Sequence, residues 1–600
     1  MKLSDYVMDF LAARGVRHVF MLPGGGCMHL VDSLGRNRSL EHVSCLHEQA
    51  AAIAAEAYAQ YTNSVGVALV TTGPGGTNAV TGVAAAWVDS TPCMVISGQV
   101  KRPDLMAGRG VRQMGMQEVD IVSIIRPITK YAVTVTEPRA IRYHLERAFH
   151  MALSGRPGPV WLDIPLDVQA AEVDVNSLEG FGPPAAGTPS PALLDGQVRG
   201  LIEILWRSQR PVILAGNGLR LAGAVEEFVA LVERLGIPLL TTWKAADFVP
   251  EDHPLYCGRP GSIGQRGANF ALQNADCLVA VGARLDVAQV GYSHQQLARG
   301  AAKVVVDVDE RELQKFSPPV ELPICADARS FVRALAQQTA GEPRQEWGAW
   351  LARCKEWQRK YPVITAAHWE DTGYVNTYAL VDVLSDLLGE QDLLVPGSSG
   401  ACSEITFQAF RVRKGQRVLN NQGLGSMGFG LPASIGACLA SGRRRTVCIN
   451  GDGGFQLNIQ ELETVSRLQL PIKFFVLNNQ GYASIRAAQR SYFEGRYVGS
   501  DASSGLTLPD IAAVARAYGL RAVAISDHSQ LRQQVADVLA SHGPVVCEVL
   551  TAPDQATAPR LSSVQREDGS MVSRPLEDLW PFLDRDELRE NMLIPLLDES

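Results

Sequence analysis

Short apolar runs alternate with longer amphipathic stretches along most of the chain. Runs such as "VGVALV" and "PCMVISG" near the N-terminus, and "RTVCIN" and "PIKFFVL" near the C-terminus, are typical of buried strands. Each run borders a stretch with helical character, and this alternation predicts β-α-β units with parallel sheets. We therefore predict an α/β fold built from doubly wound parallel sheets.

Three such blocks follow one another. The segments "VALVTTGPGGTNAVTGVAAAWVDSTPCMVISG" and "TVCINGDGGFQLNIQELETVSRLQLPIKFFVLN" share the order strand, glycine-rich turn, helix, strand, which predicts two structurally related domains. Between them, "PVILAGNGLRLAGA", "DCLVAVGARLD" and "KVVVDVDERE" indicate a third doubly wound sheet. The predicted domains cover residues 1–180, 190–345 and 370–553, followed by a tail over 554–600.

Two stretches between these blocks are irregular. Phe181 to Leu194 is rich in Pro and Gly and is linker-like, whereas "EWGAWLARCKEWQRKYP" predicts a helix that crosses between domains. In the tail, Leu576, Leu579, Trp580 and Phe582 are apolar anchors. We expect them to pack the tail back onto the body of the protein.

Composition narrows the class of protein. The formal net charge is -8 and no Lys/Arg run stands out, which argues against nucleic acid and anionic membranes as partners. No apolar stretch reaches the ~18 residues of a membrane span, and the N-terminus lacks a signal-peptide pattern. The 11 scattered cysteines contain no C-x-x-C pair, which indicates reduced thiols. We expect a cytoplasmic protein that acts on small molecules.

The most informative motif is "GDGGFQLN" from Gly451, followed by "LNNQG" ending at Gly481. It describes a strand that ends in a glycine turn at a helix N-terminus, where backbone N–H groups can face a diphosphate. Asp452 and the side-chain oxygen of Asn479 are hard ligands, and a backbone carbonyl and phosphate oxygens would complete an octahedral Mg²⁺ site. GDG alone would indicate an ordinary tight turn, but the NN pair at this spacing favours the binding motif.

Through this motif, the sequence resembles the thiamine-diphosphate enzymes of the acetohydroxyacid synthase (acetolactate synthase) group. Further segments carry the resemblance: "VFMLPGGGCMHLVDSL", "HEQAAAIAAEAYA", "TTGPGGTNAVTGVAAAWVDSTPCMVISGQV", "SGRPGPVWLDIPLDVQ" and "GLGSMGFGLPASIGA". It extends to about residue 553. The resemblance implies an aminopyrimidine-binding (PYR) domain, a central FAD-type domain and a diphosphate-binding (PP) domain.

Glu48 has a specific role by this resemblance, which implies that it hydrogen-bonds the aminopyrimidine ring of the cofactor and is catalytic. Its position after the strand-like "EHVSCL" places it at the carboxyl edge of a sheet, where open α/β sheets bind ligands. We expect the alanine-rich surroundings to raise its pKa. Without the other motifs, a helix-start carboxylate favoured by the helix dipole would be the preferred explanation. The family's paired subunits imply a homodimer or homotetramer.

The resemblance implies further site residues. Met427 matches the bulky residue that props the cofactor in a bent shape, Gln117 matches a catalytic pocket glutamine, and Gly481 contributes to the metal site. Further thiamine-diphosphate contacts are Gly25, Gly26, Gly400, Ala401, Cys402, Gly425, Gly453, Gly454 and Tyr482. The contacts implied for FAD are Arg156, Gly216, Gly218, Gly282, Arg284 and Asp286.

Five residues depart from the family pattern. The arginine that would grip the carboxylate of the second ketoacid falls on Ala288, and the tryptophan of the acceptor pocket falls on Ala488. The Gly-Gln-His sequence of the family is replaced here by "GAC", which begins at Gly400. The aromatic residue that precedes the glutamine in the family is replaced by Met116, before Gln117. Loss of a charge-assisted carboxylate contact and of an indole predicts an acceptor pocket that is wider and less cationic.

These departures predict a carboligase that decarboxylates pyruvate and transfers the two-carbon unit to a neutral ketone, forming a tertiary alcohol. This resembles the carboligases of branched-chain deoxysugar pathways (yersiniose type). We expect the tail around Arg574 to Phe582 to close over the pocket.

Four alternatives stay open. Acetolactate synthesis for branched-chain amino acids is disfavoured by Ala288 and Ala488, and an FAD-dependent pyruvate oxidase would use the flavin as an electron relay. A simple 2-ketoacid decarboxylase is disfavoured because no His-His pair occurs. A non-enzymatic binding protein is disfavoured by Glu48, Asp452 and Asn479.

Overall fold

The computed structural model describes residues 1–184, 191–315, 320–342, 345–398, 400–565 and 571–597. Within these ranges, three parallel sheets follow one another along the chain, and one small antiparallel hairpin lies near the C-terminus. The predicted α/β class with doubly wound parallel sheets is therefore confirmed. Residues 185–190 of the predicted linker lie outside the described ranges.

The N-terminal sheet has the strand order β2-β1-β3-β4-β6-β5, and every pairing in it is parallel. Strands β3 and β4 are buried along their whole length, which explains why their sequences are apolar rather than alternating. The strands are β1 His18–Met21, β2 Glu41–Ser44, β3 Gly66–Val70, β4 Cys93–Gln99, β5 Tyr131–Thr134 and β6 Val160–Pro165. The helices are α1 Leu3–Ala13, α2 Met28–Arg36, α3 Glu48–Thr62, α4 Pro74–Val88, α5 Ile121–Ile125, α6 Ile141–Leu153 and α7 Leu166–Gln169.

The middle sheet has the order β11-β10-β9-β7-β8. Its strands are β7 Pro211–Ala215, β8 Leu239–Thr241, β9 Cys277–Val281, β10 Ala302–Asp307 and β11 Leu322–Cys325. Its helices are α8 Pro191–Arg207, α9 Gly218–Leu221, α10 Val225–Leu235, α11 Arg266–Gln273, α12 Val287–Val290, α13 Glu310–Gln314, α14 Ala328–Gln338 and α15 Gly348–Lys360. The predicted crossing helix, α15, packs on α11, because a Cβ at Gly267 would lie 2.9 Å from the backbone of Trp357. It therefore belongs to the core of the middle domain.

The C-terminal sheet has the order β13-β12-β14-β15-β17-β16. Its strands are β12 Leu393–Pro396, β13 Arg417–Val418, β14 Thr446–Gly451, β15 Ile472–Asn478, β16 Arg521–Ile525 and β17 Val545–Leu550. Its helices are α16 Thr377–Leu387, α17 Ala401–Ala409, α18 Gly430–Ala440, α19 Asp452–Gln456, α20 Leu462–Leu468, α21 Ala483–Tyr492, α22 Ile511–Ala517 and α23 Leu531–Ala540. Counted from its own first strand, this order is identical to that of the N-terminal sheet, so the predicted structural relation of the two domains is confirmed.

The two related domains meet through the helices α3 and α18. Each helix follows the second strand of its own sheet, and both consist mainly of small residues. A Cβ at Gly436 of α18 would lie 2.0 Å from the carbonyl oxygen of Ala54 in α3. Because the backbones approach this closely, the alanine-rich composition of α3 is a packing requirement, and almost the whole helix is buried.

The described part of the tail packs on the middle domain. It contains the hairpin strands β18 Ser563–Gln565 and β19 Met571–Ser573 and the helix α24 Arg585–Asn591. Of the predicted anchors, Leu576 and Leu579 are buried, whereas Trp580 and Phe582 stay more than one third exposed. The prediction that the tail folds back is therefore confirmed, with two of the four anchors in the core.

Candidate active site

The carboxyl ends of four strands in the C-terminal sheet carry the predicted diphosphate-site residues. Gly400 follows β12, Gly425 and Met427 follow β13, Asp452 follows β14 and Asn479 follows β15. The strand order reverses between β12 and β14. Open parallel sheets bind ligands at such a switch point, so the fold brings these residues together at a binding edge.

Asp452 opens α19 directly after β14 and is buried. Its oxygen Oδ1 accepts the N–H of Gly453 at 2.7 Å, and Oδ2 accepts the N–H of Gly481 at 3.0 Å. Burial raises the pKa of this carboxyl to about 6, while the backbone hydrogen bonds and the Arg486 guanidinium act in the opposite direction. Asp452 therefore joins the two halves of the motif, because it is hydrogen-bonded both to its own turn and to the loop after β15.

The side-chain oxygen of Asn479 is buried and has no hydrogen-bond partner within the described ranges. Leaving such a group unsatisfied costs about 1–3 kcal/mol, so this atom is suited to a ligand. The nearby Gly481 carbonyl accepts the N–H of Ala483 at 3.2 Å and keeps a second lone pair. Carboxylate, amide and carbonyl oxygens are the donors that Mg²⁺ prefers, so these residues fit the predicted metal.

Glycine is sterically required at two of the predicted contacts. A Cβ at Gly453 would lie 2.4 Å from the ring of Tyr482, and a Cβ at Gly400 would lie 2.6 Å from Ser484 Oγ. Gly400 also has a φ of +64°, a conformation that favours glycine. The other predicted contacts in these turns are Ala401, Cys402, Gly425, Met427 and Gly454.

Glu48 opens α3 directly after β2 and is 5% exposed. Its oxygen Oε2 accepts a hydrogen bond from Asn78 Nδ2 at 3.0 Å. Asn78 lies on α4, whose N-cap is Gly73. A Cβ at Gly73 would lie 2.0 Å from the carbonyl oxygen of Gln117, so Gln117 and Glu48 both contact the beginning of α4. The structure therefore brings the two predicted catalytic residues to the same helix.

Gly25 and Gly26 form a short 3-10 helix after β1, at the same sheet edge as Glu48. The N–H of Gly26 donates to Thr71 Oγ1 at 3.2 Å, and Thr71 follows β3. No atom of the described residues lies within 4 Å of a Cβ built at Gly25. Gly25 therefore faces open space at this edge, whereas Gly26 is held against the neighbouring strand end.

Glu461 joins the two half-sites within the chain. Its oxygen Oε1 accepts the N–H groups of Leu46 at 2.8 Å and His47 at 3.1 Å, directly before Glu48. Glu461 lies between α19 and α20, shortly after Asp452, and burial raises its pKa. The start of α3 is therefore fixed by the C-terminal domain. The predicted sharing of the site between two subunits stays a prediction.

The middle domain borders a cavity of about 550 Å³. Of the six residues predicted for FAD, Arg156, Gly218, Gly282, Arg284 and Asp286 line it. Gly216 does not line the cavity but packs against Ala283, which does: a Cβ at Gly216 would lie 2.2 Å from the Cα of Ala283. Arg156 is paired with Glu312 at 2.6 Å and with Asp309 at 3.2 Å. A pocket of this size matches a bound cofactor, and the sequence-predicted residues converge on it.

The departures at Ala288 and Ala488 lie on two different helices. Ala288 is exposed on α12 and lines a cavity of about 270 Å³, and Ala488 is half-buried on α21. Neither Lys nor Arg occurs among the described residues that line this cavity, which include Trp243, Ser262 and Tyr292. Gln422 also lines it, directly before the turn that carries Met427. The cavity is therefore adjacent to the candidate active site and is not cationic.

Sequence reasoning missed the residues that hold the predicted ones in place. Asn78 is visible only as a polar residue one turn into the helix after "GPGG", and Arg486 is an isolated charge in "GYASIRAAQ". Glu461 bonds to residues more than four hundred positions away, and no local pattern signals such a contact.

The structure shows no helix, within the described ranges, that is long and apolar enough to cross a membrane.

Comparison with known proteins agrees with this geometry. Residues 1–124, 198–335 and 398–549 match the N-terminal TPP binding, central and C-terminal TPP binding domains of thiamine pyrophosphate enzymes. The chain is 32% identical over 566 residues to the acetolactate synthase large subunit of Cyanidium caldarium, covering 93% of this chain and 94% of the relative. It is 31% identical to the acetolactate synthase large subunit of Lactococcus lactis, covering 94% and 95%.

A third relative is the acetolactate synthase isozyme 1 large subunit of Escherichia coli, at 31% identity over 93% of this chain and 95% of the relative. The matched domains coincide with the three sheets, and the two TPP-binding domains are those that carry Glu48 and Asp452. The chain therefore belongs to the thiamine pyrophosphate enzymes related to acetolactate synthase large subunits, and it is an enzyme that forms carbon–carbon bonds.

Proposed function

We propose that the chain is a pyruvate carboligase. Pyruvate loses CO₂, and its remaining two-carbon unit is added to the carbonyl carbon of an acceptor. The observation that supports this proposal is the presence of complementary groups at the ligand edges of the two related sheets. The N-terminal sheet carries the hydrogen-bonded Glu48 and Asn78, and the C-terminal sheet carries the side-chain oxygens of Asp452 and Asn479. The names of the relatives favour a second pyruvate as acceptor, which gives acetolactate. Acetolactate synthesis is therefore the leading form of the proposal.

The chain's own residues have defined tasks in this reaction. Asp452, Asn479 and the Gly481 carbonyl would hold Mg²⁺ and, through it, the diphosphate of the cofactor. Thiamine diphosphate supplies an electron sink for the electron pair that CO₂ leaves behind. Glu48 would exchange a proton with the aminopyrimidine ring, and Asn78 would keep its carboxylate in the required orientation. Met427 would support the bound cofactor, and Gln117 would border the reacting carbonyl.

We also propose that the cavity of about 550 Å³ takes FAD. The close glycine approaches at Gly216 and Gly218 and the cations Arg156 and Arg284 support a dinucleotide in this position. Carboligation consumes and releases no electrons, so the flavin would have a structural role. A pyruvate oxidase would instead consume oxygen or a quinone together with pyruvate, and this uptake separates the two functions.

A second candidate acceptor is a neutral ketone, which would give a tertiary alcohol. The observation that favours it is the cavity beside Ala288, whose described lining has no cation to pair with a carboxylate. Loss of such a charge-assisted contact weakens discrimination in favour of a ketoacid. The yersiniose-type activity predicted from the sequence is one member of this class.

The test is acceptor competition. The purified protein is given thiamine diphosphate, Mg²⁺, FAD and pyruvate, with and without a neutral cyclic ketone, and CO₂ release and products are followed by mass spectrometry. We expect CO₂ and acetolactate from pyruvate alone, and a crossed tertiary alcohol would favour the ketone acceptor. Glu48→Gln, which removes the exchangeable proton, should lower CO₂ release by about 10²–10⁴-fold. Wild-type protein that releases no CO₂ would refute the carboligase proposal.

A further inference from the structure

We propose that Arg486 is a positioning residue for the divalent cation. Its guanidinium fixes the backbone of the loop Asn479–Gly481, so that the oxygens of that loop and of Asp452 converge on one point. This inference rests on the proposed magnesium site and concerns the chain's own residues there. Arg486 was not among the residues predicted from the sequence.

The guanidinium of Arg486 binds four backbone carbonyls. Nη1 donates to Gln480 at 3.1 Å and Ser500 at 3.1 Å, and Nη2 donates to Asn479 at 2.6 Å and Pro553 at 3.0 Å. Two of these carbonyls belong to the metal loop itself, and the other two come from separate segments. Arg486 therefore links the loop Asn479–Gly481 to two other segments. One is the segment before the short 3-10 helix Ala502–Ser504, and the other is the chain that follows β17.

This arginine is buried without a carboxylate partner. It is 3% exposed, and no ion pair joins it to an acid in the part of the chain that the structure describes. Taking a charge out of water is costly unless it is compensated, and here backbone carbonyl dipoles and the nearby Asp452 charge compensate it. The planar fork of five donors matches several carbonyls at once, which a lysine ammonium cannot do in the same geometry.

The loop that Arg486 holds has a backbone that needs external support. Gln480 has a φ of +63° and Gly481 a φ of +130°, and a non-glycine residue in the left-handed region persists only where its surroundings fix it. The same loop carries the unpartnered Asn479 oxygen and the Gly481 N–H that bonds Asp452. Because the carbonyls of Asn479 and Gln480 both accept hydrogen bonds from Arg486, the backbone that carries the Asn479 side chain is held in place.

The test measures the affinity for Mg²⁺ without catalysis. Full-length protein is saturated with thiamine diphosphate, no pyruvate is added, and the thermal unfolding midpoint is followed as Mg²⁺ is titrated. Arg486→Met should shift the titration midpoint to at least about tenfold higher Mg²⁺, as is usual when the support of a metal ligand is lost. Arg486→Lys, which keeps the charge but not the fork, should give a smaller shift, and it decides the question if the Met variant does not fold.

Arg490→Met is the matched control, because Arg490 lies one turn further along α21 and, among the described residues, makes only a surface ion pair with Asp554. Its Mg²⁺ midpoint should equal that of the wild type. A lower unfolding temperature of the Arg486 variants without Mg²⁺, combined with a wild-type Mg²⁺ midpoint, would overturn the inference, since Arg486 would then be merely structural. Because pyruvate is absent, failure of the carboligase proposal does not affect the readout, whereas a wild type that ignores Mg²⁺ overturns the inference together with the metal site.

Discussion

Glu56 lies two turns along α3 from Glu48 and is fully buried at the junction of the three domains. Its oxygen Oε1 accepts hydrogen bonds from Gln60 and Asn421, both at 3.1 Å, and Lys244 and Asp89 are the nearby charges. Burial raises its pKa to about 8, so the folded protein holds this carboxyl in its neutral form at pH 7. Asn421 in turn accepts the N–H of Gly425 at 3.1 Å, in the turn that leads to Met427.

This carboxyl predicts the pH dependence of stability. The unfolded chain ionises Glu56 near its ordinary pKa, so between about pH 4.5 and 8 the folded state binds one proton more, and stability falls as pH rises. The slope from one proton is at most about 1.4 kcal/mol per pH unit. Glu56→Gln, whose amide oxygen can accept the same two hydrogen bonds, should flatten the fall, measured by denaturant unfolding at pH 5 to 8.

Asp163 makes a second contribution to the pH dependence of stability, which the Glu56→Gln variant retains. Its buried carboxyl has a pKa raised to about 7, so it contributes a slope of the same sign in both proteins. The Glu56→Gln variant should therefore keep a reduced slope. Equal slopes in variant and wild type would contradict the neutral assignment of Glu56.

At the scale of elements, the α3–α18 contact decides whether the two related domains can associate. A methyl group at residue 436 would enter the space of the Ala54 carbonyl oxygen, 2.0 Å away. Gly436→Ala should therefore lower the free energy of unfolding by about 1–3 kcal/mol, the usual cost of overpacking, even though alanine favours helices. Denaturant unfolding of the full-length chain measures it.

Gly35→Ala is the control at this scale. Gly35 is exposed on α2, and nothing lies within 4 Å of a Cβ built there. Alanine should therefore raise the free energy of unfolding by about 0.5–1 kcal/mol through helix propensity alone. If both variants changed stability in the same direction, the close approach of α3 and α18 would not be the cause.

At the scale of the whole molecule, the tail completes the middle domain. Buried side chains of α11 depend on its backbone: Asn269 donates to the Leu576 carbonyl at 2.7 Å, and Arg266 donates to the Pro581 carbonyl at 2.6 Å. Glu577 is buried and pairs with Arg299 at 2.6 Å. The predicted role of the tail as a lid stays a prediction, and these contacts give it a structural role on the side of the middle domain.

Leu579→Ala tests this role, because Leu579 is completely buried. The lost burial and the cavity left behind should lower the free energy of unfolding by about 2–5 kcal/mol. Leu597→Ala, at a residue that is 37% exposed, should change it by less than about 0.5 kcal/mol. Urea unfolding of the two full-length variants compares them, and equal small effects would mean that the tail is not part of the middle-domain core.

The sequence predicted the parts of the site that stand directly after strands. Asp452, Asn479 and Glu48 lie in the short polar segments that follow apolar runs, a pattern that results from burial of parallel strands. Asn78 and Arg486 lie inside helices of ordinary composition, where only a tertiary contact distinguishes them from surface residues. The sequence also predicted that the two outer domains are structurally related, in agreement with their identical strand order. The contact of Gly436 with Ala54 could not be predicted, because it joins residues distant in sequence.

The shared strand order and the α3–α18 contact have a consequence for the history of this chain. Two domains of the same topology that meet through equivalent helices are the arrangement that duplication and fusion of one ancestral unit would leave. The N-terminal domain presents an acid beside an amide at its ligand edge and the C-terminal domain presents oxygen donors, so one topology serves two different ligand groups within the same chain.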